Sequence, residues 1–453
     1  MSSRNGFFNR KFLHSVRVAF ASVALSLYFC AYAYPQSQSP DVATELDTLL
    51  ANKQYPQLEQ ALMTVSAAIS QESRAFFVGV MENRLNRVQK SLGLLEPAIP
   101  SLLVNNPTRG EIALCTLADD YAKNFRYGDA ARVYVEADRI SKQQNLDSSC
   151  RAALEASRWV MLSNAPAQTV DSGGEFTIQG RWDSIGLIQV PLRAGVYTGS
   201  WVVDSGANLS VISQSVAGQM GLEVSSTTGT ADGGSGAALS VHTAIIPELR
   251  LGSAVVHNVP VLVSADSDLD FSKIDYRIDG SLGLPVLAAL RRFTVYRDGR
   301  VRFGGASDVP DNTQTPHNFF VEKFAPVITA DFGLGDQLFT IDTGAVGTIL
   351  SAQFYRESRP VKSTELVQLE LFGAGGTLVS PAYQVRDVGA KLGGSCTKLE
   401  TVQVLTQPTG LADEFYGNIG ESALNSFRSF TFDFDEMRFI VNGGSTRNCE
   451  IKR

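Results

Sequence analysis

Trp201-Val202-Val203-Asp204-Ser205-Gly206-Ala207-Asn208-Leu209-Ser210-Val211-Ile212-Ser213 returns 138 residues later as Phe339-Thr340-Ile341-Asp342-Thr343-Gly344-Ala345-Val346-Gly347-Thr348-Ile349-Leu350-Ser351. In both copies apolar residues run into Asp, then a hydroxyl residue, Gly and Ala; after a short gap an apolar pair ends in Ser. The pattern places a carboxylate on a sharp turn at the end of a buried strand, with Gly allowing close backbone approach and Ala leaving room for a partner. Either tripeptide alone, Asp-Ser-Gly or Asp-Thr-Gly, is also an ordinary hairpin turn. Two copies followed by the same further features argue against that plainer reading. Two such turns face to face bring two carboxylates within hydrogen-bonding reach.

The further features are these. Past Asp204 a glycine-rich polar stretch runs from Gly229 to Gly236 and has the composition of a mobile hairpin; past Asp342 its counterpart is Phe372-Gly373-Ala374-Gly375-Gly376. Ile278-Asp279-Gly280-Ser281-Leu282-Gly283 is answered by Tyr416-Gly417-Asn418-Ile419-Gly420 at an offset of 137. The closing strands, Phe293 to Phe303 and Phe430 to Ile440, keep that offset. One supersecondary plan is used twice. The halves are assigned to residues 175–306 and 319–453, joined by an exposed crossing at 307–318 that contains Pro310 and Pro316.

This set of motifs resembles the aspartic peptidases, nearer the retropepsin-like branch than the pepsins, over residues 175–447. The resemblance implies a two-lobed all-β fold with a substrate cleft between the lobes and Asp204 and Asp342 as its catalytic dyad. It implies that the segments around Gly280 and Gly417 pass beneath the catalytic loops in a ψ-shaped crossing, and that Ser205 and Thr343 bind the opposite lobe's backbone. Gly206, Ala207, Gly344 and Ala345 complete the two loops. Gly229, Gly233, Gly234 and Gly236 mark one substrate flap, and Gly373, Gly375 and Gly376 a second. Retroviral members assemble the cleft from two chains, whereas here one chain carries both halves. The first flap lacks the Tyr that pepsins place there, and the second lobe keeps a flap that pepsins lack. Ala207 and Ala345 stand where pepsins usually carry a hydroxyl, so one hydrogen bond to each ionised carboxylate is missing and higher apparent pKa values are expected.

Upstream the chain has a different character. Arg4, Arg10, Lys11 and Arg17 precede an uncharged run from Val18 to Ala33 ending Ala31-Tyr32-Ala33, the layout of a cleaved export signal over residues 1–33. Cleavage gives a periplasmic or extracellular protein; a tether through this segment, with Cys30 as a lipidation site, is the lesser alternative. Its loss moves the net charge from −7 to −11. An acidic chain without a basic cluster is a poor partner for nucleic acid.

Residues 34–165 show apolar spacing of helical period, with few Gly or Pro. Leu114, Leu117, Ala118, Tyr121, Ala130, Tyr134 and Ala137 resemble the packing positions of a tetratricopeptide repeat, and Phe77, Met81 and Leu94 fit an earlier unit loosely. An unspecialised helical domain has the same stripe. Either way the region holds helical hairpins without chemistry and is assigned to docking a protein partner or to regulation. Asn164 to Gln168 and Asp171 to Gly174 read as a linker, after which short strand-like runs begin. The fold class is therefore multidomain: an all-α domain followed by an all-β bilobal one.

Cys115, Cys150, Cys396 and Cys449 remain after export, and two disulfides are expected. Three pairings are open; Cys115 with Cys150 and Cys396 with Cys449 keep each bond within one domain. No cysteine spacing matches a zinc pattern and only His242, His257 and His317 follow the leader, which argues against a metal site. Two carboxylates sharing one proton activate water without a cofactor or nucleophilic side chain. The chain thus reads as an exported aspartic endopeptidase acting on peptides or proteins as a monomer. Two readings stand beside it: a non-catalytic peptide-binding scaffold on the same fold, and a half-site that needs a second chain.

Overall fold

The computed structural model describes residues 42–65, 68–171, 174–234, 236, 238–305, 316–358, 364–409 and 413–444. The expected leader, most of the crossing at 307–318 and Cys449 lie outside the described residues.

The chain begins with helices α1 (Val42–Ala51), α2 (Tyr55–Val65), α3 (Gln71–Arg84), α4 (Val88–Asn105), α5 (Pro107–Lys123), α6 (Tyr127–Gln144) and α7 (Ala152–Val160). Their ends are written in the sequence. Ser70 accepts the Ser73 amide at the start of α3, and Asn106 accepts that of Arg109 before α5, where Pro107 fills the first turn and its absent N–H costs nothing. Gly79 and Gly110 stand where a β-carbon would press into Leu95 and Leu103 of α4, so these small residues let α3 and α5 close onto it. Leu114, Leu117, Ala118, Tyr121, Ala130, Tyr134 and Ala137 are buried, as are Phe77 and Met81; Leu94 is half-buried. A disulfide joins Cys115 of α5 to Cys150, two residues before α7.

The β region opens with β1 (Thr169–Asp171), β2 (Phe176–Gln179), β3 (Arg181–Trp182), β4 (Ile188–Ala194), β5 (Tyr197–Val203), β6 (Ser210–Ser213) and β7 (Gly229–Asp232). It continues through β8 (Ala238–Leu251), β9 (Ala254–Ser264), β10 (Asp270–Phe271), β11 (Tyr276–Arg277), β12 (Gly280–Leu282), β13 (Arg292–Tyr296) and β14 (Arg300–Phe303). Short helices α8 (Gln214–Gln219) and α9 (Leu284–Ala289) interrupt it. The stretch read as a linker contains a strand: β1 pairs antiparallel with β9, Val170 opposite Val256. Two β-branched residues, Thr169 and Val170, beside an open sheet edge outweigh the turn-forming residues around them.

Lobe 2 repeats the plan with β15 (Phe319–Glu322), β16 (Ala325–Asp331), β17 (Gln337–Ile341), β18 (Ile349–Leu350) and α10 (Ala352–Ser358). Then come β19 (Thr364–Gly373), β20 (Gly376–Leu392), β21 (Ser395–Leu405), β22 (Gly417–Ile419), α11 (Glu421–Leu424), β23 (Ser429–Asp433) and β24 (Arg438–Asn442). In each lobe a short late strand threads between the two strands that flank the Asp turn. β12 runs parallel to β5, Leu282 opposite Val203, and antiparallel to β6, Gly280 opposite Ile212. β22 does the same between β17 and β18, Ile419 opposite Ile341 and Gly417 opposite Leu350. Glycine is required at these crossings for space: a β-carbon on Gly280 would meet the Trp201 indole at 2.7 Å.

Both lobes contribute to one further sheet, ordered β2-β14-β13-β23-β24. Thr294 lies opposite Thr431, its own repeat equivalent, with the two hydroxyls 2.8 Å apart. A pseudo-twofold axis therefore passes through this pair. Beside it Phe293 stacks on Phe432 at 4.6 Å, and Arg292 forms a buried ion pair with Asp433.

The helices dock on lobe 2. Lys53 reaches Glu322 at 3.0 Å, Tyr55 donates to the same carboxylate at 2.5 Å, and Arg84 lies 3.6 Å from it, all within a largely buried contact that includes the Tyr55–Phe320 ring pair. Lys123 donates to the Val321 carbonyl at 3.0 Å, and the His317 amide to Glu59 at 3.1 Å.

Candidate active site

Asp204 and Asp342 occupy equivalent positions at the ends of β5 and β17, just past the buried Trp201–Val203 run and the buried Phe339 and Ile341. Each backbone amide is held by the crossing strand: Asp204 N–H donates to Leu282 O at 3.0 Å, and Asp342 N–H to Ile419 O at 2.9 Å. The crossings thus fix where each Asp leaves its strand.

The next residue in each turn grips the other lobe. The Ser205 hydroxyl donates to Ile341 O at 3.1 Å and accepts the Thr343 amide at 3.1 Å; the Thr343 hydroxyl donates to Val203 O at 2.6 Å and accepts the Ser205 amide at 3.0 Å. Four reciprocal bonds between fully buried groups hold the two turns face to face. Gly206 and Gly344 then lie against the opposite carboxylates, since a β-carbon on either would run into Asp342 or Asp204. This is where glycine is needed for close approach, and it brings the two acids into one constellation.

Each carboxylate also accepts from its own turn, Asp204 from the Ala207 amide at 3.1 Å and Asp342 from the Gly344 amide at 2.8 Å. Burial and the charge of Asp342 nevertheless push the Asp204 carboxyl up to about 7. Burial raises Asp342 above the ordinary carboxylate range as well. The two interact strongly enough to titrate as a pair.

Two participants escape notice in the sequence. Ser281 stands beside Asp204 and Asn418 beside Asp342; each lowers its neighbour's pKa and so favours the ionised carboxylate. They are repeat equivalents on β12 and β22, and Thr340 orients Asn418 by donating to its carbonyl oxygen at 2.7 Å. Their shared offset within the glycine segments is the signal that would have found them. From the crossing strand they supply the kind of stabilisation that a hydroxyl in place of Ala207 or Ala345 would give.

A third acid lies near. Glu421 begins α11, where the first repeat has buried Leu284; it is 1 % exposed, and neither carboxyl oxygen has a hydrogen-bond partner among the described residues. Burial, reinforced by the charges of Asp342 and Asp183, holds it well above the ordinary glutamate range.

The glycine-rich stretches form the tips of hairpins. β7 and β8 pair with Gly229 opposite Val241, and Gly233, Gly234 and Gly236 turn the corner. β19 pairs along its full length with the first part of β20, up to a tight turn at Gly373–Gly376, where Gly375 and Gly376 adopt positive φ of 86° and 134°. The tips meet: a β-carbon on Gly234 would lie 3.5 Å from the Gly373 Cα. The second hairpin also reaches lobe 1, where the Gly375 amide donates to Asp268 O at 3.3 Å. Of the cysteines, Cys115 and Cys150 are joined, and the bond expected between Cys396 and Cys449 involves a residue outside those described.

A model of the aspartyl protease family matches residues 189–286, from β4 through the Asp204 turn, the first hairpin and the Gly280 crossing to α9. No curated protein matches the chain. The β region is thus an aspartyl protease-like domain, preceded by a helical one.

Proposed function

We propose that the protein is an exported aspartic endopeptidase in which Asp204 and Asp342, one from each lobe of a single chain, activate water to cleave peptide bonds. The observation that carries this reading is the pair of coupled carboxylates held face to face by the Ser205 and Thr343 bonds. With one proton between them, the ionised acid takes a proton from bound water while the neutral acid donates to the scissile carbonyl oxygen, and a tetrahedral intermediate forms without an acyl-enzyme. Both acids are raised, so the singly protonated pair persists toward neutral pH and activity peaks well above that of a gastric-type enzyme; a rate profile peaking below about pH 3 would contradict this.

The meeting hairpins serve as flaps that close on an extended peptide by strand-like pairing. Val367, Leu369, Leu371 and Leu378 share one half-buried face of the second hairpin and offer apolar surface to substrate side chains. The protein works as a monomer, since one chain supplies both acids.

Asp204→Asn and Asp342→Asn, assayed with the parent on a mixed peptide library, are each expected to lose hydrolysis by about 10³-fold or more while keeping the parent's thermal stability or exceeding it. A parent that binds peptides yet cleaves none between about pH 4 and pH 8 would leave the scaffold reading in its place.

A further inference from the structure

Helix α7 touches both lobes with neighbouring residues. Trp159 stacks on Tyr127 at 5.5 Å and meets Phe324 of lobe 2 at 5.4 Å. Arg158, beside it, extends to lobe 1 and donates to Asp232 on strand β7 of the first hairpin at 2.6 Å, with Arg151 3.6 Å from the same carboxylate. Met161, just past the helix, lies against Gly229 at the start of β7; a β-carbon there would overlap the Met161 sulfur. Gly229 has no positive φ, so it is glycine for room and not for backbone conformation. The Thr243 hydroxyl on β8 makes a long bond, 3.5 Å, to the Met161 carbonyl. α7 is itself anchored, because the Cys115–Cys150 disulfide fixes the chain at its start and Glu155 pairs with Arg158 at 2.9 Å.

We infer that Arg158 and Met161 are positioning residues for the first flap: through them the helical domain, seated on lobe 2, sets the height of a hairpin that belongs to lobe 1. The base of the flap is latched along Gly229–Asp232, so the height of the hairpin follows α7. The helical domain is then part of the substrate-binding apparatus, and anything that tilts α7 alters substrate affinity. The inference rests on the peptidase reading only in treating the hairpin as a substrate flap.

The test uses the full chain. Gly229→Ala puts a methyl where the Met161 thioether lies and is expected to raise KM by roughly two- to threefold as Met161 and β7 shift apart, with a smaller change in kcat; Met161→Ala in the same chain makes room for the new methyl and returns KM to near the parent value. Arg158→Ala is expected to raise KM by roughly two- to fivefold, an effect that fades in high salt and that Arg158→Lys largely reverses. Amide exchange needs no turnover: in Gly229→Ala and Arg158→Ala it should quicken over residues 229–243 and stay unchanged over 197–203. Unaltered exchange in the hairpin, or failure of Met161→Ala to rescue Gly229→Ala, would overturn the inference. A parent that turns over no peptide would strike the peptidase reading alone, since exchange still decides the coupling between α7 and the hairpin.

Discussion

Ser281 shows how a residue that does no chemistry sets the conditions for it. Its hydroxyl favours the ionised form of Asp204, so Ser281→Ala should raise the acid limb of log kcat/KM by up to about one pH unit, read from a pH–rate profile. Glu421 acts on stability instead. A carboxyl whose folded pKa lies above its unfolded value binds its proton more tightly in the fold; that stabilisation is complete below about pH 4.3 and is lost as pH rises toward the folded value. Glu421→Leu, which copies Leu284, is therefore expected to stabilise the protein by about 1–3 kcal/mol, with a larger gain near pH 8 than near pH 4 in urea unfolding. At this scale the sequence was partly legible. The two Asp declared themselves because each must follow a buried strand and precede a glycine. Ser281, Asn418 and Glu421 did not, because a polar residue in a short apolar segment carries no mark of what it will face.

The crossing strands are the elements on which the constellation depends, and they were legible because a duplicated plan repeats its essentials at a nearly constant offset, 138 residues at the Asp turns and 137 at the crossings. The turn hydroxyls tie those elements across the lobes. Thr343→Val keeps the shape of the side chain and removes its bonds, leaving the Ser205 amide and the Val203 carbonyl without their partner in the core. The expected loss is about 2–3 kcal/mol in chemical denaturation, together with lowered kcat as the two turns relax. β1 was not legible: Thr169 and Val170 are too few to show alternation, and only the open edge of β9 makes them a strand. The hairpin tips were visible as glycine runs, but their meeting was not, since contact between residues 234 and 373 depends on how the lobes face each other.

In the whole molecule the two domains are bound by charges that individually look solvated. Lys53, Arg84 and Glu322 are far apart in the chain, and nothing in their neighbourhoods announces burial; the docked helices bring them together with Tyr55. Glu322→Ala leaves Arg84 without its counter-charge in that contact and Lys53 with Glu414 alone, at 2.6 Å, and is expected to cost about 2–3 kcal/mol, seen as a lowered urea midpoint or as separate unfolding of the helical domain. The sheet common to both lobes imposes a different limit. Because β13 and β23 are hydrogen-bonded along their length, with Phe293 on Phe432 and Thr294 on Thr431 at the axis, the halves are welded at the back and do not part like jaws. On the peptidase reading, a polypeptide substrate would have to come in past the two hairpins, so the speed of admission would belong to them and to whatever holds them.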